Sequence, residues 1–155
     1  MIQRKNLLKA ALLFSLLMFV AVAWIQAADK NSQVVRVTIG IILASNQNDD
    51  FDAKLKPMEK QLKVLKYRSY RSLKDESQEV AWRTNGVFEV PGGRFLTVAP
   101  QELRNNRIAL KVRLTEGQKP LIDTTVRIPN RGNFILGGPP HEGGALVLSI
   151  SAAAE

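Results

Sequence analysis

The alternation of apolar and polar positions is sharpest from residue 107 to 114. Ile108, Leu110, Val112 and Leu114 fall on one side there, and Arg107, Ala109, Lys111 and Arg113 on the other. A two-residue period belongs to an extended strand with one buried and one solvated face. Val35, Val37, Ile39, Ile41 and Leu43 alternate in the same way, but the positions between them change from Arg36 and Thr38 to Gly40, Ile42 and Ala44. A strand that becomes apolar on both sides reads as a central one, covered on both faces. From residue 51 the period lengthens. Phe51, Leu55, Met58, Leu62 and Leu65 recur at helical spacing and form one stripe. Proline is tolerated only in the first turn of a helix, so Pro57 places the regular helix at Pro57 to Lys66, with Phe51 to Lys56 as an irregular entry.

The helical period is lost at Tyr67, and Tyr67 to Leu73 reads as a strand followed by a charged turn at Lys74 to Ser77. Val80 to Thr84 and Val87 to Val90 flank Asn85-Gly86, a dipeptide suited to a tight hairpin. Pro91-Gly92-Gly93 turns the chain into a strand at Arg94 to Val98, and Pro100 to Asn105 reads as a loop. Further strands are expected at Ile122 to Ile128, Phe134 to Leu136 and Ala145 to Ser151, with Gly137 to Gly144 as a rigid glycine- and proline-rich loop. About nine short strands and one helix predict an α+β fold. It is mostly antiparallel β-sheet, sandwich-like, with one covering helix after the first strand and a meander from Val80 onward.

The first residues carry a different pattern. Arg4, Lys5 and Lys9 precede an apolar run from Ala10 to Ile25, and Ile25-Gln26-Ala27 places a small residue before Ala28. This is the order of an export signal, so residues 1–27 are expected to be removed and residues 28–155 to form a single β-rich domain. The alternative is a retained anchor, since Leu7 to Ile25 is close to the ~20 residues that span a bilayer. Export implies a periplasmic or extracellular location. Without cysteine the domain has no disulfide and must rely on its core. Of 22 Lys and Arg, the leader holds three and no acid, which leaves 19 against 14 Asp and Glu. That moderate basic excess favours an anionic partner.

Catalytic signatures are scarce. His141 is the single histidine, and with no thiolate it cannot complete a usual zinc site. Neither a Gly-x-Ser-x-Gly motif nor cysteine supplies a nucleophile. The glycines around His141 precede a strand rather than a helix, so a phosphate loop is disfavoured and a tight turn with positive φ is expected. Asn46, Asn48, Asp50 and Asp52 alternate as calcium ligands do, but Phe51 takes the required glycine position and Pro57 that of the glutamate, so loop and cap residues are expected. No metal, cofactor or nucleic-acid partner is therefore expected. Two surfaces remain as candidates. Arg107, Lys111 and Arg113, with Arg127 on a neighbouring strand beside Asp123 and Thr125, form a cationic row suited to an anionic envelope polymer. Tyr67, Arg68, Tyr70 and Arg71 mix aromatic and cationic groups, as glycan surfaces do.

The stretches Tyr67 to Leu73, Pro91 to Leu96, Gly137 to Pro139 and Gly144 to Ser151 make the mature chain resemble uncharacterised exported bacterial proteins. The resemblance implies export and a single domain, and carries no catalytic residue across. The expected function is a non-catalytic binding or assembly module of the cell envelope. The alternatives are a hydrolase that uses a carboxylate pair on envelope polymers, and a subunit that docks through a sheet edge.

Overall fold

A computed structural model describes residues 34–155. The expected signal segment lies outside these residues. Eight antiparallel strands follow in chain order: β1 Val34–Ser45, β2 Ser69–Ala81, β3 Gly86–Val90, β4 Arg94–Arg104, β5 Arg107–Glu116, β6 Lys119–Pro129, β7 Gly132–His141 and β8 Gly144–Ala154. They form two four-stranded sheets, ordered β2-β1-β8-β7 and β3-β4-β5-β6. Each strand is antiparallel to its neighbour, and β8 returns to pair with β1, so the chain runs up and down around one sandwich.

One core lies between the sheets. Val35, Val37, Ile39 and Ile41 of β1 meet Leu96 and Val98 of β4, Ile108, Leu110, Val112 and Leu114 of β5, and Leu146, Leu148 and Ile150 of β8. The alternating rows expected for residues 35–41, 108–114 and 146–150 thus all point inward. β1 is central, as its second apolar side implied, and lies between β2 and β8.

That second side has its own cover. Ile42, Ala44 and Val147 on the outer face pack with Leu55, Leu62 and Tyr70. Phe51, Met58 and Leu65 complete the expected helical stripe. The helix differs from expectation. It is a 3-10 segment, Ala53–Met58, that contains Pro57, followed by a five-residue α-helix, α1, at Glu59–Lys63. Eleven residues cannot cover a four-stranded sheet. They plug one apolar patch, so this is not the covering helix that was expected.

Four other expectations are corrected. Lys74 to Ser77 is not a turn but the middle of β2. β2 is an edge strand, and charged residues there discourage pairing with another chain. Asn85-Gly86 does not make a β2–β3 hairpin, because the two strands belong to different sheets and the residues between them carry the chain across. Pro100 does not end β4, which continues to Arg104. The short β3 pairs only as far as Val98; beyond it the Pro100 carbonyl oxygen accepts from Arg83 N at 2.7 Å, and no strand on this side requires an N–H from Pro100. Gly137 to His141 is strand rather than loop, again on an edge, with a bulge between Gly137 and Pro140 that accommodates the prolines. Eight longer strands therefore replace about nine short ones.

Candidate functional site

The outer face of the second sheet holds the expected cationic row. In cross-strand register Thr97, Arg113 and Asp123 lie side by side, followed by Ala99, Lys111 and Thr125, then Glu102, Ala109 and Arg127, and Arg104 beside Arg107. All four candidate residues, Arg107, Lys111, Arg113 and Arg127, are exposed on this one face. Strand pairing brings them together as the alternation implied.

Their charges are partly balanced. Arg113 reaches Oδ2 of Asp123 through Nε at 3.1 Å and Nη2 at 2.8 Å. Arg127 Nη1 donates to Oε1 of Glu102 at 2.8 Å. Arg107 Nη2 donates to the Arg127 carbonyl oxygen at 2.9 Å. Lys111 makes no ion pair among the described residues. Glu102 and Arg104 also belong to this face, and the sequence pattern conceals them because Pro100 to Asn105 reads as a loop. Five cations therefore share the outer face with three carboxylates, Glu89, Glu102 and Asp123. Next to the unpaired lysine is a concavity of about 210 Å³ lined by Asn85, Thr97, Ala99, Lys111 and Arg113. Ala99 supplies a small floor residue, and Thr97 and Asn85 supply hydrogen-bonding groups beside the two cations.

The second candidate surface does not assemble. Residues of one strand alternate between faces, so Tyr70 and Arg71 point to opposite sides. Tyr70 is 2% exposed beneath α1, where its hydroxyl donates to the Leu62 carbonyl oxygen at 2.6 Å. Burial pushes its phenol above the ordinary range. Tyr67 stacks edge-on against Tyr70 with ring centroids 6.3 Å apart. Arg68 grips the carboxylate of Asp49, and the shared hydrogen bonds hold that carboxyl below its ordinary range. Arg71 is the member that stays exposed and unpaired among the described residues.

The polar loop after β1 serves as loop and cap. Asp52 caps the 3-10 segment through Oδ1, which accepts from Lys54 N at 3.0 Å, and its Oδ2 accepts from Ser72 N at 3.1 Å. These two backbone hydrogen bonds hold its carboxyl below the ordinary range. Asn46 Oδ1 accepts from Arg68 N at 3.0 Å, and the Asp50 carbonyl oxygen accepts from Tyr70 N at 2.9 Å. On the helix, Lys63 and Lys56 flank Glu59 at 2.8 and 3.5 Å. His141 lies largely buried at the β7–β8 turn, with Nε2 3.7 Å from Glu142. The turn itself has positive φ at Glu142 and Gly143, the pairing of a tight type I′ hairpin. No group of three or more His, Cys, Asp or Glu among the described residues is gathered to hold a metal ion. No family model, curated protein or solved structure matches the chain.

Proposed function

We propose that the chain is exported and that its folded domain is a non-catalytic binding or assembly module of the cell envelope. Its docking surface is the outer face of β4, β5 and β6, and its partner an anionic polymer rich in phosphate. The observation that carries this reading is Lys111, unpaired beside Arg113 at the rim of the concavity on a face with five cations and three acids. Arginine forks grip phosphate in a plane and lysine adds a point charge, so the face combines geometry with attraction. The sandwich interior is filled by apolar side chains, Phe88 among them, which leaves recognition to the outer surfaces and rims.

Retention on immobilised polyphosphate tests the proposal. The parent should be retained at low salt and released as ionic strength rises, because exposed charges are screened over ~10 Å at 0.1 M. Lys111→Glu with Arg113→Glu should abolish retention with little change in melting temperature. Equal retention of this double variant would remove the face as a binding site.

A further inference from the structure

The inner face of the first sheet changes character at one end. Val35, Val37, Ile39 and Ile41 belong to the core, and the same row continues through Leu43 to Ser45. On β2, Arg71 is the cross-strand partner of Leu43, and Ser69 that of Ser45. Where the aliphatic filling stops, the row thus ends in two serines and an arginine. These residues line a pocket of about 220 Å³, with Gln47, Asn48 and Asp50 from the loop after β1 and Glu142 from the β7–β8 turn.

Ser45 and Ser69 are each only 7% exposed. Neither hydroxyl has a hydrogen-bond partner among the described residues. Both oxygens open to the pocket, so they are available to hydrogen-bond whatever occupies it. The charges are equally open. Arg71 and Asp50 make no side-chain pair among the described residues, and Glu142 has only His141 nearby, at 3.7 Å. One free cation therefore faces two carboxylates across a small polar space.

The walls are fixed before anything binds. The loop is tied to β2 through Arg68 N–Asn46, Tyr70 N–Asp50 and Ser72 N–Asp52. On the opposite rim, a Cβ at Gly144 would overlap the carbonyl oxygen of Ala44, so glycine allows the turn that carries Glu142 to sit against β1. Such preorganisation lowers the entropic cost of binding.

We propose that this pocket is a binding site for a small zwitterion of amino-acid or dipeptide size. Arg71 receives the carboxylate, Asp50 and Glu142 receive the ammonium group, and the serine hydroxyls complete the hydrogen bonds. The size excludes larger ligands, since drug-sized molecules occupy ~300–1,000 Å³. No aromatic side chain lines the pocket, so the stacking platform typical of sugar recognition is lacking. The inference does not depend on the cationic face, with which it shares no residue.

The test is amide chemical-shift perturbation in the full-length chain, with each of the twenty common amino acids and alanyl-alanine as probes. At least one should saturate with a Kd of about 1 mM or tighter and shift the amides of Ser45, Ser69, Arg71 and Glu142. The N-acetyl form and the carboxamide of that probe should each bind at least about tenfold more weakly, as should Arg71→Gln. Ser45→Ala with Ser69→Ala is the second variant, and should also weaken binding while the parent melting transition is kept. Lys111→Glu should bind as the parent does. Absence of saturable shifts at these amides with every probe would overturn the proposal. Equal binding of the blocked forms, or of Arg71→Gln, would do so as well.

Discussion

The two sheets share one core but differ on their outer faces. On the first sheet, Ile42, Ala44 and Val147 form an apolar patch that the 3-10 segment and α1 close with Leu55 and Leu62. On the second, Thr97, Lys111, Arg113, Thr125 and Arg127 make the outer face of β4, β5 and β6 mostly polar and exposed or half-exposed, with Val87 and Phe95 exposed at its β3 side. The difference is written into the strands. β1 and β8 lose their polar alternation where the plug sits, whereas β5 keeps a polar outer row broken only by Ala109. A strand buried on both faces serves stability. A strand buried on one face leaves the other free for recognition.

Truncation should separate the two faces most strongly. Leu110→Ala, in the shared core, and Leu62→Ala, in the plug, should each cost about 2–5 kcal/mol, because both side chains are fully buried. Lys111→Ala, on the open face, should stay within about 0.5 kcal/mol. Urea unfolding measures all three. If Leu62→Ala were as mild as Lys111→Ala, the plug would not be a second core.

A smaller effect is expected where the plug is hydrogen-bonded. Tyr70→Phe removes the donor to the Leu62 carbonyl oxygen and should cost about 1 kcal/mol. The buried phenol also makes the junction alkali-sensitive. Its pKa is raised in the fold, so its contribution is complete below the unfolded value of ~10 and is lost as pH rises through the higher folded value. Melting temperature should fall over that range in the parent and less so in Tyr70→Phe.

The mildest effect should appear in acid. Hydrogen bonds from Lys54 N and Ser72 N depress the Asp52 carboxyl, so its contribution is present above the ordinary value of 3.8 and is lost as pH falls through the lower folded value. Asp52→Asn should melt lower than the parent at neutral pH, and the gap should narrow as the pH falls below about 4. A gap that stayed constant would mean the carboxylate charge plays no part in tying the loop to β2.

Local pattern carried much of this architecture. Inward rows at 35–41, 108–114 and 146–150, the stripe from Phe51 to Leu65, and the cationic row at Arg107, Lys111 and Arg113 each depend on side-chain periodicity within one segment. Periodicity is a property of the backbone geometry itself, so it can be read without knowing the partners. Misreadings arose where the meaning of a residue depends on its neighbours in space. Pro100, Pro139 and Pro140 read as breakers, yet they sit in strands at positions where no neighbouring strand needs their N–H, so its loss costs little. Lys74 to Ser77 reads as a turn by composition, yet charge is what an edge strand needs. Asn85-Gly86 reads as a hairpin, yet local turn chemistry cannot say to which sheet the next strand belongs.

The sites divide in the same way. Alternation alone placed Arg107, Lys111 and Arg113 on one face, but only strand pairing added Glu102 and Arg104 and set how far the charge is balanced. Burial of Tyr70 beneath α1 required the plug to fold back, which no pattern within Tyr67 to Arg71 reveals. The pocket at Ser45 and Ser69 was not legible at all. Its walls come from residues 43–50, 69–71 and 142, and a sequence determines which faces segments present but not which distant segments meet.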